Sequence, residues 1–147
     1  MKKVLLVCLG GLFLLSGCSS SDAPSCSSSD VKDLVLEISV EEMQKSLFYR
    51  FGRGASEMYE KVKSNNFDDI KENEKASWIK LREQYDSINN LTSDLILDSI
   101  RTSKVDDKLL KSTCEGNLNL NGKSFNITYD AQITDSGDLY VNVYGFY

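Results

Sequence analysis

Residues 114–127 read CEGNLNLNGKSFNI, and the dipeptide Asn121-Gly122 inside them decides the fold. A two-residue hairpin loop needs positive φ at both central positions, and Asn-Gly meets that need at the lowest steric cost. Upstream, Cys114, Gly116, Leu118 and Leu120 face one way, and Thr113, Glu115, Asn117 and Asn119 face the other. Downstream, Phe125, Ile127, Tyr129, Ala131 and Ile133 alternate with Asn126, Thr128, Asp130, Gln132 and Thr134. Period-two alternation on both sides of a turn predicts paired strands over 109–120 and 125–134. Asp135-Ser136-Gly137-Asp138 is a second turn by its residue chemistry. Beyond it Leu139, Val141 and Val143 alternate with Tyr140, Asn142 and Tyr144, a further strand. Residues 95–102 (LILDSIRT) supply one more strand ahead of these. The C-terminal half therefore predicts a four-stranded antiparallel meander.

The segment before it has helical spacing. Ser29-Asp30 opens a helix, with Asp33 favourable to the dipole in the first turn. Val31, Leu34, Val35 and Ile38 follow on one face. Ser39-x-x-Glu42 has the capping-box pattern, which predicts a new helix or a bend there. Met43, Leu47, Phe48 and Phe51 continue the apolar face up to Phe51-Gly52-Arg53-Gly54, a helix–helix link whose arginine and glycines also suit an anion. Ala55, Met58, Tyr59 and Val62 resume it until Asn65-Asn66. Phe67, Ile70, Trp78, Leu81, Tyr85 and Ile88 then predict one long helix ending at Asn89-Asn90, with Glu74 interrupting its face. Helices first and a meander second is an α+β layout, with the N-terminal helices packed on the sheet face that carries Leu118, Ile127 and Val141.

The first residues have a different character. Lys2 and Lys3 precede an apolar run from Val4 to Leu15, broken only by glycines and Cys8. That run is shorter than the roughly 20 apolar residues a membrane-spanning helix needs. Basic start, short apolar core and small residues predict a secretory signal peptide over 1–17. Its end, Leu15-Ser16-Gly17-Cys18, resembles the lipobox of bacterial lipoproteins. The resemblance implies cleavage before Cys18, a diacylglycerol thioether on its sulfur and acylation of the new amine by a fatty acid such as palmitate. One acyl chain holds a protein only marginally at about 0.8 kcal/mol per buried methylene, whereas several chains on one residue hold it durably. Position 19 is Ser rather than Asp, which in enterobacterial lipoproteins points to the periplasmic face of the outer membrane. Residues 18–29 are serine-rich and predict a flexible tether, with one α+β domain over 30–147.

Four cysteines are present. If Cys8 leaves with the signal peptide and Cys18 carries lipid, Cys26 and Cys114 remain. An even pair in an oxidising compartment predicts one disulfide, with two free thiols as the alternative. Two cysteines in a chain without histidine make an incomplete zinc set, so no metal is expected.

Composition excludes more than it assigns. A net charge of −5 disfavours nucleic acid as a partner. The absence of histidine removes Ser-His-Asp and Cys-His nucleophilic sites. Asp68-Asp69, Asp106-Asp107, Asp130, Asp135 and Asp138 are carboxylates that read more simply as solvated charge than as catalysts, and the acidic spacing of an EF-hand is missing. Gly122-Lys123-Ser124 ends like a P-loop, but Asn117 stands where that motif needs glycine, so no nucleotide cofactor is expected. Asn90-Leu91-Thr92 and Asn126-Ile127-Thr128 match the glycosylation pattern without further support. Tyr140, Tyr144 and Phe146 share the sheet face opposite Val141 and Val143. They are candidate partner-binding residues, against the simpler account of cross-strand packing.

The region after Cys18 is similar to small secreted or lipid-anchored bacterial domains. The similarity rests on Cys26 ahead of Val31-Lys32-Asp33-Leu34-Val35, then Ile100-Arg101-Thr102, Cys114-Glu115-Gly116, Ile127-Thr128-Tyr129 and Thr134-Asp135-Ser136-Gly137. It supports the fold and the disulfide and implies no activity. The helix-then-meander order also resembles cystatin-like and NTF2-like folds, which does not assign a function. The leading expectation is a non-catalytic envelope lipoprotein that binds a protein partner or supports an assembly. An inhibitor or exclusion factor against lysozyme or phage is the alternative, and a carboxylate-based cell-wall hydrolase stands behind both.

Overall fold

A computed structural model describes residues 22–50, 55–65 and 70–145. The signal peptide, the lipobox with Cys18, Phe51-Gly52-Arg53-Gly54, Asn66, Phe67, Asp68-Asp69 and Phe146 lie outside the described residues. Three helices, α1 (Ser29–Tyr49), α2 (Ala55–Ser64) and α3 (Lys75–Thr92), precede four strands, β1 (Ile96–Asp106), β2 (Lys111–Leu120), β3 (Lys123–Ile133) and β4 (Leu139–Tyr144). The strands form one sheet in sequence order with every neighbour antiparallel. The chain is α+β, as its patterning predicts.

Asn121 and Gly122 take φ of 50° and 76°, the two positive values the hairpin requires. The β2–β3 register then runs unbroken from Leu120↔Lys123 to Lys111↔Gln132. It sets Cys114, Gly116 and Leu118 on one face with Ile127, Tyr129 and Ala131, all buried. β1 is longer than the expected 95–102. It follows β2 to Asp106↔Lys111, with irregularities between Asp98 and Arg101 and between Thr102 and Lys104.

The core beneath the sheet is built from Leu95, Leu97, Leu118, Ile127, Ala131 and Val141, together with Val31 and Val35 of α1. Its helical residues come from α1, with Leu34, Leu36, Ile38, Val40 and Met43 packed around it. The expectation that the helices as a group cover the sheet is therefore corrected. α2 and α3 build a second cluster against the far end of α1, from Phe48, Tyr59, Val62, Tyr85 and Ile88. Ring centroids there are 5.8 Å apart in both the Phe48–Tyr59 and Tyr59–Tyr85 pairs. Gln44 ties the three helices together. Its Nε2 donates to Asn89 Oδ1 (2.9 Å) and Thr92 Oγ1 (3.1 Å), and its Oε1 accepts from the Tyr59 hydroxyl (3.1 Å). A buried amide satisfied on both sides costs little and restricts how the helices can pack.

Three helix boundaries differ from the pattern, the simplest being that α3 runs past Asn89-Asn90 to Thr92. Ser39 does not start a helix, since α1 runs through it. Its side chain is fully buried, and its Oγ has no partner in the described structure. The stripe Val31, Val35, Ser39, Gln44, Phe48 faces inward, and burial of its apolar members outweighs the local capping preference. α3 begins at Lys75 rather than Phe67. Ile70 lies buried ahead of the helix, and a turn over 72–74 delivers the chain to Glu74 at its N-cap.

Cys26 and Cys114 form a disulfide with Cα atoms 5.7 Å apart. Cys26 is 2 % exposed, so it belongs to the folded unit although it precedes α1. The Tyr129 hydroxyl donates to the Cys26 carbonyl at 2.8 Å, and Tyr129 lies directly opposite Cys114 across β2 and β3. The two sheet residues thus hold one segment by two bonds. Burial pushes the Tyr129 hydroxyl pKa up to about 12.

The bridge closes a loop with a sequence separation of 88. Replacing both cysteines by alanine is expected to cost about 2–5 kcal/mol of unfolding free energy in urea. Tyr129→Phe, which leaves a buried carbonyl unpaired, is expected to cost about 1–3 kcal/mol with the disulfide intact. A double-cysteine variant as stable as the parent would show that the staple is dispensable.

Candidate functional site

All described helix packing lies on one side of the sheet, which leaves the other side open. The register orders that outer face into rows across the strands. Lys111, Gln132 and Tyr140 form one row. Lys104, Thr113, Asp130 and Asn142 form the next, followed by Arg101, Glu115, Thr128 and Tyr144, and then Asp98, Asn117 and Asn126.

The centre of the face is an organised polar cluster. Asp130 accepts from Thr113 Oγ1 (2.7 Å) and from the Tyr144 hydroxyl (3.1 Å), and its Oδ2 lies 2.8 Å from Lys111 Nζ. Asn142 Nδ2 donates to the Tyr144 hydroxyl at 2.8 Å. Burial pushes the Asp130 carboxyl up, but the hydrogen bonds from Lys111, Thr113 and Tyr144 outweigh it and hold the pKa below the ordinary value. The same hydrogen bond raises Lys111.

Tyr140 and Tyr144 share this face, as the alternation predicts. They differ in their bonding. Tyr144 is fixed by Asp130 and Asn142, whereas the Tyr140 hydroxyl has no partner among the described residues and its side chain is 55 % exposed. The other carboxylates singled out by sequence have local roles where they are described. Asp106 Oδ1 accepts from the Lys108 and Leu109 amides in the β1–β2 turn, and Asp138 accepts from Ser136 Oγ in the β3–β4 turn. Among the described residues, no group of three His, Cys, Asp or Glu side chains is placed to hold a metal ion. No described helix is long and apolar enough to cross a membrane.

Sequence reasoning missed a depression of about 540 Å³ on the same face, beside the polar cluster. Arg101, Glu115, Asn117, Asn126, Thr128 and Tyr144 line it. Arg101 Nε donates to Glu115 Oε2 at 2.7 Å, and the guanidinium Nη2 bonds the same oxygen. Asn117 and Asn126 lie directly opposite each other, and neither amide has a partner among the described side chains. The wall is raised by the first irregularity of β1, where Ser99 and Ile100 together face Gly116 and Ser99 takes φ of 51°. A Cβ at Gly116 would lie 2.9 Å from Leu97 Cδ1 and 3.3 Å from the Asp98 carbonyl, so a larger residue here requires the Leu97 side chain and the β1 backbone to shift. The signal available in sequence was Gly116 between two polar positions of an alternating strand. A second depression, about 400 Å³, lies between α1 and the hairpin and is lined by Met43, Leu47, Leu120 and Phe125 with Glu42 and Arg50.

Compared with protein-family models, curated proteins and solved structures, the chain matches none.

The depressed Asp130 pKa stabilises the fold above the ordinary carboxylate pKa. That contribution is lost as pH falls through the folded value. An NMR titration is expected to place the Asp130 midpoint below the unfolded value of about 3.9. Asp130→Asn is expected to flatten, though not abolish, the acid limb of stability, because Glu41 is also held low, chiefly by its bond to Lys45. A midpoint at or above the ordinary value would show that the cluster does not favour the charged form.

Proposed function

We propose that this chain is a non-catalytic envelope lipoprotein, anchored through acyl chains on Cys18 to the periplasmic face of the outer membrane, that binds a protein partner through its outer sheet face. The reading rests on Tyr140, a large aromatic side chain left exposed with no hydrogen-bond partner among the described residues, with Tyr144 two rows away and Ile96 exposed on the same face. Tyrosine is enriched where interfaces concentrate their energy, because it combines a large rigid apolar ring with a polar tip. The non-catalytic part of the reading is supported by the local bonding of Asp106, Glu115, Asp130 and Asp138, which spends these carboxylates on turns and cross-strand pairs.

The test is capture from an envelope extract on the intact, lipidated chain. Tyr140→Ala with Tyr144→Ala is expected to weaken recovery of the partner at least about tenfold, equivalent to roughly 1.4 kcal/mol. Circular dichroism checks that the double variant is folded. Undiminished recovery would remove this surface from the reading. Mass spectrometry of the mature N-terminus checks the lipid on Cys18, and an unmodified terminus would remove the anchor. The identity of the recovered protein separates an assembly role from inhibition of a lysozyme or a phage protein.

A further inference from the structure

We infer that the depression beside Asn117 and Asn126 is a binding site for a neutral saccharide. This goes beyond the protein-partner reading and rests on different side chains, with Tyr144 as the wall the two surfaces share. The chemistry of the lining selects the ligand class. Among the described residues of the lining, Arg101 is the only cation and Glu115 the only carboxylate, and each neutralises the other. An anion meets Glu115 beside Arg101, and a cation meets Arg101 beside Glu115, so each finds repulsion next to its attraction. A ligand without charge meets no such conflict.

What the lining offers beyond that pair is neutral hydrogen bonding. Two carboxamides, Asn117 and Asn126, face each other across β2 and β3, and the Thr128 hydroxyl stands next to them on the same strand face. None of the three side chains has a partner among the described residues. Each amide carries both donor and acceptor capacity, and a hydroxyl can do either. A ligand with several adjacent hydroxyl groups meets such a set with matching groups that also donate and accept. An apolar ligand would leave the set unsatisfied, at a cost that grows with burial.

Geometry adds two features. The Tyr144 ring borders the depression, and its hydroxyl is held by Asp130 and Asn142, so the ring is presented in a fixed position. Its apolar surface suits the C–H face of a pyranose. The amides project from paired strands rather than from a loop, so little order is lost when a ligand binds. The volume of about 540 Å³ falls in the range of small-molecule sites, roughly 300–1,000 Å³. The open, solvated rim points to modest affinity.

The experiment uses the intact chain in detergent micelles and follows the Asn117 and Asn126 side-chain amide signals by NMR. The probes are cellotriose and tri-N-acetylglucosamine as neutral saccharides, with inorganic phosphate and a neutral tripeptide as comparisons. At least one saccharide is expected to shift both amide pairs with a dissociation constant of roughly 1 mM or tighter. Asn117→Ala with Asn126→Ala is expected to weaken that binding at least about tenfold, and Tyr140→Ala to leave it unchanged. The double variant removes two solvent-accessible groups and its fold is checked by its methyl spectrum. No shift with either saccharide, an equal response to phosphate or the tripeptide, or undiminished binding by the double variant would each overturn the assignment. Because Tyr140→Ala separates the two surfaces, failure here leaves the protein-partner reading standing, and the reverse also holds.

Discussion

The two bonds that Cys114 and Tyr129 make to the Cys26 segment set the arrangement of the molecule. They come from residues directly opposite each other in the hairpin, so both bonds are met together only in this register. Once formed, they place the start of α1 against the buried face of β2 and β3. Val31 and Val35 follow Cys26 closely and enter the same core. A helix placed in this way is committed to one side of the sheet. The outer face then lacks a helical cover among the described residues, and its rows of Asn, Thr, Asp, Lys and Tyr match that exposure. A disulfide lowers the entropy of the unfolded chain, and here the hydroxyl bond from Tyr129 adds direction to the same constraint.

α1 carries two loads along its length. Its first half supplies the sheet core, and its far end supplies Phe48 to the aromatic cluster with α2 and α3. Between them the helix presents Ser39 and Gln44. Gln44 is saturated by Tyr59, Asn89 and Thr92, so the layer between the two clusters is polar and bonded rather than greasy and permissive. Arg82 serves the same region from outside. Its Nη1 donates at 2.7 Å to the Val62 carbonyl near the end of α2, which also accepts from the Asn65 amide. The aromatic annex is therefore fixed to α1 by directional bonds as well as by burial.

The parts of this structure that were legible in sequence are those where a local rule and the tertiary packing agree. Asn121-Gly122 dictated positive φ twice, and the alternation on either side had one buried and one exposed set, so register and face followed together. Tyr140 and Tyr144 were placed on the right face by the same period. Legibility failed where packing overrode a local preference. Ser39-x-x-Glu42 has the form of a cap, yet its serine occupies an inward position on a helix whose neighbours are Ile38 and Val40, and the helix continues. Phe67 to Ile88 has helical spacing for its apolar residues, but spacing cannot tell a helix from a turn that delivers one buried residue, as Ile70 is delivered. The depression beyond the tyrosines was illegible because it depends on an extra residue in β1. A bulge changes which side chains stand together without changing composition.

Gly116 links the hidden face to the presented one. On the core side its missing Cβ leaves the space that Leu97 and Ile100 fill. On the strand backbone, the same gap lets Ser99 and Ile100 together oppose one residue of β2. Ile100 turns inward to the core and Ser99 outward to the rim of the depression, so one insertion serves packing and surface shape at once. Beyond the insertion the ladder resumes with Arg101 opposite Glu115, which puts the ion pair beside Thr128 and Tyr144. Had these same residues paired with β2 without a bulge, those after Asp98 would have met it one position out of step. Arg101 would then have pointed to the core face, where a guanidinium has no partner. The bulge is thus required by the charge pattern of β1, and the concave outer surface follows from it.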